Sequence, residues 1–133
     1  MSEPIDDLAA LLKGLDPVRR PGEFVFLTVD EVGDVPAGTH AVVREDDRLS
    51  CVVDRVEALW LGEDNGPVMA WITLRVHSSL LAVGLTAAVS TTLAQHGIAA
   101  NVIAGHVHDH VLVPVAQVDL ALELLSSLSD SRL

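Results

Sequence analysis

Apolar residues along this chain recur in two rhythms, and the switches between them mark out its elements. Leu8, Leu11, Leu12 and Leu15 return at three- and four-residue spacing, which predicts a short helix over 5–14 with Asp6 and Asp7 at its positive end. The two-proline segment LDPVRRPGE (15–23) reads as a loop. FVFLTV (24–29) is apolar on both faces, as a central strand is. An acidic, Gly/Pro-rich loop follows over 29–40. Then Val42–Arg44 and Leu49–Val53 flank a charged turn at Glu45–Asp47, which predicts a hairpin. Asp54 is placed to cap RVEALWLG, in which Val56, Leu59 and Trp60 fall on one helical face. EDNGP (63–67) is the best linker in the chain.

The second half repeats the alternation. VMAWITLRVH (68–77) is rich in strand formers. A helix is predicted from about Leu80 to His96 and closed by Gly97. Leu81, Leu85, Ala88, Val89, Thr92 and Leu93 share one arc of that helix. Gly84, Ala87 and Thr91 form a second face of small residues. IAANVIAG (98–105) and HVLVPV (110–115) read as strands, and 115–128 as a last helix. Its stripe of Val118, Ala121, Leu122, Leu125 and Leu128 is widened by Leu120 and Leu124 beyond what one sheet needs, which predicts contact with another subunit. The order is α–β–β–β–α followed by β–α–β–β–α. By element order, each half resembles a ferredoxin-like βαββαβ unit short of one outer strand. This gives an α+β fold of two tandem units packed as one module, with boundaries at 5–66 and 67–130.

Composition narrows the possible functions. The chain has 133 residues and is 50% hydrophobic but only 3% aromatic, so its core is built from Val, Leu, Ile and Ala. The formal net charge is −11. Residues 1–66 hold 15 of the 19 acids and six of the eight Lys and Arg, and Arg75 and Arg132 are the only such cations beyond them. No basic stripe is available to neutralise phosphates, so neither nucleic acid nor an anionic membrane surface is an expected partner. No Lys, Arg, Asp or Glu occurs from Val76 to His108. Even so, Ser90, Thr91, Thr92, Gln95 and His96 interrupt that segment, so a buried helix and strand fit it better than a membrane span. The acidic start lacks the basic region of a signal peptide, and Cys51 is the only cysteine. A cytoplasmic protein without a disulfide is the plain expectation.

Several positions carry candidate chemistry. His77, Ser78 and Ser79 in HSSL (77–80) sit at a predicted strand-to-helix turn. Free N–H groups at a helix start attract a carboxylate, the two hydroxyls add donors, and Gly84 leaves backbone space one turn in. The plainer reading makes Ser78 or Ser79 an N-cap and His77 a strand end. Asn101 interrupts an apolar strand, where a buried amide needs a partner: a ligand's ammonium or a neighbouring loop. AGHVHDHVLV (104–113) places His106, His108 and His110 at alternate positions, the spacing of a zinc or nickel triad on a straight strand. The chain must reverse between Gly105 and Asp109, however, and a reversal is expected to scatter the rings. His108 and Asp109 are therefore assigned to a ligand pocket rather than to a metal. Cys51 lies at an apolar strand position and reads as core, and Glu45–Asp47 as a solvated turn. No P-loop, GxGxxG, GxSxG or HExxH pattern is present.

The block VHSSLLAVGLTAAVSTTLAQHGIAANVIAGHVHDHVLVP (76–114) is similar to the C-terminal unit of small stand-alone proteins built from two ACT-like domains. GEFVFLTVDE (22–31) and WITLRVHSSL (71–80) match the same family pattern, and the resemblance covers roughly residues 5–128. ACT domains are regulatory βαββαβ modules that often bind amino acids near the turn from first strand to first helix, at domain or subunit interfaces. In larger proteins, such as aspartate kinases, they control an attached enzyme. The resemblance implies a non-catalytic amino-acid sensor, homodimeric and without a cofactor, with His77, Ser78, Ser79, Gly84, Asn101, His108 and Asp109 as ligand residues. The alternatives are a metal-dependent enzyme using His106, His108 and His110, and a purely structural dimerisation module.

Overall fold

In the computed structural model of the chain, residues 2–63 and 66–130 are described, and part of the predicted linker at 63–67 lies outside them. The elements run α1 (Leu8–Lys13), β1 (Pro17–Val29), β2 (Ala41–Glu45), β3 (Arg48–Asp54), α2 (Arg55–Leu61), β4 (Met69–Leu74), α3 (Leu85–Ala94), β5 (Asn101–Ala104), β6 (Asp109–Pro114) and α4 (Val118–Asp130). Contacts group them into two units. One joins the residues up to Pro21 with those from Ala70 onward, and the other comprises Gly22–Met69. β1 starts in the first and ends in the second.

The larger unit layers α1, α3 and α4 on a sheet in which the start of β1, then β4, β6 and β5 are neighbours in that order. The segment 15–23 is therefore mostly strand, not the predicted loop. Pro17 and Pro21 did not end it, because proline holds itself and its predecessor near extended geometry. This first stretch of β1 lies beside β4 and supplies the strand that β4–α3–β5–β6–α4 lacks. On β4, Ala70, Ile72 and Leu74 alternate into the core, and Val111 and Val113 do so from β6. Leu11, Leu12, Leu85, Val89, Leu93, Val118, Ala121 and Leu125 close over them from the helices. α1 begins at its N-cap, Asp7, whose carboxylate accepts from the Ala10 N–H at 2.9 Å.

The smaller unit pairs the end of β1 with β3, and β3 with β2, both antiparallel. The predicted hairpin turns at Asp46, whose φ of 40° is left-handed. Val25, Leu27, Cys51, Val53 and Ala58 form the core of this unit, which puts Cys51 where its sequence setting suggested. α2 corrects an expectation: Val56, Leu59 and Trp60 share its outer face, with Trp60 84% exposed, and Ala58 is the residue it buries. Asp54 stands at its N-cap position but its carboxylate meets His40 Nε2 at 3.3 Å rather than capping the helix.

Candidate functional site

The turn after β4 is shaped by the chain's own N-terminal segment. The Ile5 N–H donates to the His77 carbonyl at 2.8 Å, and the Ser79 N–H returns a bond to the Ile5 carbonyl at 2.9 Å, forming a parallel bridge between Ile5 and Ser78. These bonds pair 77–79 with the N-terminal segment, and the helix does not begin at Leu80 as its periodicity suggested. Ser79 Oγ instead accepts from the Leu81 N–H at 3.1 Å and folds a tight turn. α3 starts only after Gly84, whose φ of 104° is outside the right-handed helical region and suits a residue without Cβ. Leu81, placed on the buried helical arc by its spacing, is consequently 86% exposed. The helix N-cap is Gly84, not Ser78 or Ser79.

The detour opens a pocket of about 200 Å³ between this loop, the first turn of α3 and the start of β6. Ser78, Ser79, Gly84 and Asp109 line it, with Thr86 and Ala104. Four of the seven positions marked in the sequence thus converge. Ser78 Oγ donates to Asp109 Oδ2 at 3.4 Å. Burial pushes the Asp109 carboxyl above its ordinary value, while the Ser78 bond and nearby His108 draw it partly back. Leu85 and Thr86 begin α3 at the pocket wall, where the first N–H groups of a helix have no intrahelical acceptor. The pocket therefore offers one acidic acceptor and one electropositive backbone end.

The other three positions lie elsewhere. His77 Nδ1 is 2.6 Å from the Ser2 carbonyl, which only accepts, so that nitrogen carries the proton and the ring is tied to the N-terminal segment. Asn101 is exposed at the start of β5, paired with Leu112 across the ladder, so it is not the buried amide its apolar neighbours suggested. His108 lines a separate cleft with His110. The expected scattering of the histidine rings is only partial. The reversal is closed by the Gly105 N–H donating to the His108 carbonyl at 3.0 Å, which leaves His106 exposed while His108 and His110 keep company. Among the described residues, no three His, Cys, Asp or Glu side chains are grouped to hold a metal. No helix among them is long and apolar enough to cross a membrane.

Sequence reasoning missed the surroundings of His110. Its Nδ1 accepts from Trp71 Nε1 at 3.2 Å and lies 3.0 Å from Thr73 Oγ1, and Arg20 stacks on Trp71 with Cζ 4.0 Å from the ring centroid. The available signal was Arg20 preceding Pro21, which favours extended backbone and hence a strand that carries the side chain alongside β4.

The comparisons agree with this architecture. ACT-domain models match residues 3–65 and 69–127. A possible transport protein of unknown function from Vibrio cholerae shares 42% identity and superposes with a TM-score of 0.81 over 89% of this chain and 92% of its own. At 16% identity, the aspartokinase alpha and beta subunit structure superposes with a TM-score of 0.60 over 86% of this chain and 97% of that one, which is likeness of fold alone. The Clostridium acetobutylicum aspartate kinase does so at 10% identity and a TM-score of 0.61, over 84% of this chain and 33% of its own. No curated protein matches the sequence. Two matched models spanning nearly the whole chain, a 42% identical relative and the layered sheet-and-helix units together mean that this chain belongs to the ACT-domain family, with two such domains in tandem.

Proposed function

We propose that the chain is a non-catalytic sensor that binds a free amino acid in the Ser78–Asp109 pocket and acts, in the cytoplasm, on a partner protein. One observation carries this reading. A half-buried carboxylate and the open N-terminus of α3 face the same small pocket, and they complement the ammonium and carboxylate of an α-amino acid. The volume, about 200 Å³, is below the roughly 300 Å³ at which pockets for drug-sized ligands begin, and suits a small zwitterion. Ser78 and Ser79 supply hydroxyls at the rim. His77 and Asn101 take no part in this reading, and His108 acts only through its charge on Asp109. Calorimetry and thermal unfolding with each of the common amino acids test it. A millimolar amino acid should raise Tm by mass action, and no response to any of them sinks the proposal.

The same reading includes a homodimer formed through the second half. Leu80, Leu81 and Val83 in the loop at the pocket are 70%, 86% and 82% exposed, and Leu120 on α4 is 41% exposed. Apolar side chains gathered at a pocket's edge favour cover by a second copy.

A further inference from the structure

The chain's few cations are not spread evenly. Arg19, Arg20 and Arg75 are three of only eight Lys and Arg in a protein of net charge −11, and all three line one cleft of about 350 Å³ with Thr73, His108 and His110. No carboxylate lines that cleft among the described residues. Like charges gathered in this way repel one another, and a bound anion relieves that repulsion. The groups are also held in place. The Trp71 face fixes the Arg20 guanidinium from one side. Trp71 Nε1 donates to both Thr73 Oγ1 and His110 Nδ1, each at 3.2 Å, which sets the neutral imidazole with its proton on Nε2. The Arg75 backbone N–H donates to the Asp16 carbonyl at 3.2 Å, but its side chain meets the Asp16 carboxylate through Nε at 4.0 Å, with both side chains more than half exposed, an ion pair of little strength.

From this arrangement we infer that the Arg20–Arg75–His108–His110 cleft is a second binding site, for a small dianion bearing carboxylate or phosphate groups. Planar guanidinium forks match the oxygens of either group in pairs. The acidic remainder of the chain disfavours a long polyanion, so the ligand is small. The charged groups facing His110 are Arg20 and His108, with Arg19 and Arg75 on the same cleft and Asp109 beside His108. Burial first, then Arg20 and His108, hold the His110 pKa below its ordinary value. A bound dianion offsets those cations, so binding raises the His110 midpoint and strengthens as pH falls through it.

The test uses the two tryptophans. Trp60 is exposed on α2, so Trp60→Phe leaves Trp71 as the only reporter. That variant is titrated with inorganic phosphate and, separately, with succinate, against sodium chloride of matched ionic strength. The expected result is a saturable change in Trp71 emission with at least one anion, an upward shift of the His110 imidazole midpoint by NMR, and binding about tenfold weaker after Arg75→Gln. A response to phosphate alone or to succinate alone fixes the ligand class within the proposal. If neither anion acts beyond the salt control at tens of millimolar, the proposal is overturned. It is equally overturned if a folded Arg75→Gln variant binds as tightly as before. Should circular dichroism show Arg75→Gln to be misfolded, Arg19→Gln is read by the same criterion.

Discussion

Ser78 Oγ donates to Asp109 Oδ2 at 3.4 Å, bridging the loop after β4 to the first residue of β6 across the pocket. This bond only partly offsets the burial that raises the Asp109 pKa. The folded carboxyl therefore takes up its proton at higher pH than the unfolded one. The ionised form is the disfavoured one in the fold, and that penalty applies above the folded pKa and fades as pH falls through it. Asp109→Asn mimics the protonated state. Its Tm at neutral pH should equal or exceed that of the parent, and the two should converge in acid. Under the proposed function the same variant loses stabilisation by an amino acid. Thermal unfolding at neutral and acid pH, with and without ligand, reads both effects, and an Asn variant that keeps the full ligand shift would remove Asp109 from the site.

Gly84 is a point where local strain and site geometry coincide. At φ 104° an L side chain is strained, and a Cβ there would sit 3.0 Å from Leu8 Cδ2. Gly84→Ala is expected to destabilise by about 1–3 kcal/mol, the range for non-glycine residues forced into such conformations. The first turn of α3 would also shift away from the pocket. Urea unfolding measures the first effect and amino-acid affinity the second; a variant within about 0.5 kcal/mol of the parent contradicts the first argument, and unchanged affinity contradicts the second.

The sequence made some of this legible and hid the rest for physical reasons. Spacing placed α1, the β2–β3 hairpin, the buried face of α3 at Leu85, Val89 and Leu93, and the turn between β5 and β6, because side-chain burial there follows from local period alone. It failed where a distant segment decides. Ile5 pairs with residues 77–79 and α3 begins only after Gly84, and nothing near Leu80 announces either. The start of β1 reads as a loop because prolines punctuate it, although a place beside β4 was waiting for a strand. On α2, Val56, Leu59 and Trp60 mimic a core stripe, yet only Ala58 is small enough to lie at 0% exposure against the sheet. The pocket was half visible: Ser78, Ser79, Gly84 and Asp109 converge, but Asn101 and His77 depended on burial and orientation that composition does not encode.

Cys51 is fully buried, opposite Leu27 on β1 and Val42 on β2, and burial pushes its thiol pKa up. A thiol that is both protonated and shielded reacts only when its strand opens. Modification by a disulfide reagent at neutral pH should be slow in buffer and accelerate with urea in step with unfolding. Rapid labelling of the folded chain would contradict the packing of β3.

Gly105 and Gly33 make a matched pair. A Cβ on Gly105 would lie 2.6 Å from the His108 backbone oxygen, closer than backbone tolerates, so the turn must open. Nothing lies within 4 Å of the corresponding position at Gly33. Gly105→Ala is expected to cost about 1–3 kcal/mol, as overpacking does, and to disturb His108 and His110. Gly33→Ala should stay within about 0.5 kcal/mol of the parent. Chemical denaturation of the two variants side by side measures the contrast, and equal midpoints would mean the β5–β6 turn is looser than its geometry.

Leu120 and Leu124 separate association from folding. Both widen the apolar stripe of α4, but Leu124 packs against the core whereas Leu120 is 41% exposed. Leu124→Glu brings a charge to the margin of the core and should lower stability by about 1–3 kcal/mol. Leu120→Glu leaves the core intact, so its unfolding midpoint at high dilution should match the parent. Its effect belongs to the proposed dimer, where a charge in an apolar interface has no partner. Sedimentation at micromolar concentration should show a dimeric parent and a monomeric Leu120→Glu variant. A parent that sediments as a monomer removes the homodimer, and a variant that stays dimeric moves the interface away from this face of α4, toward the exposed Leu80, Leu81 and Val83 loop.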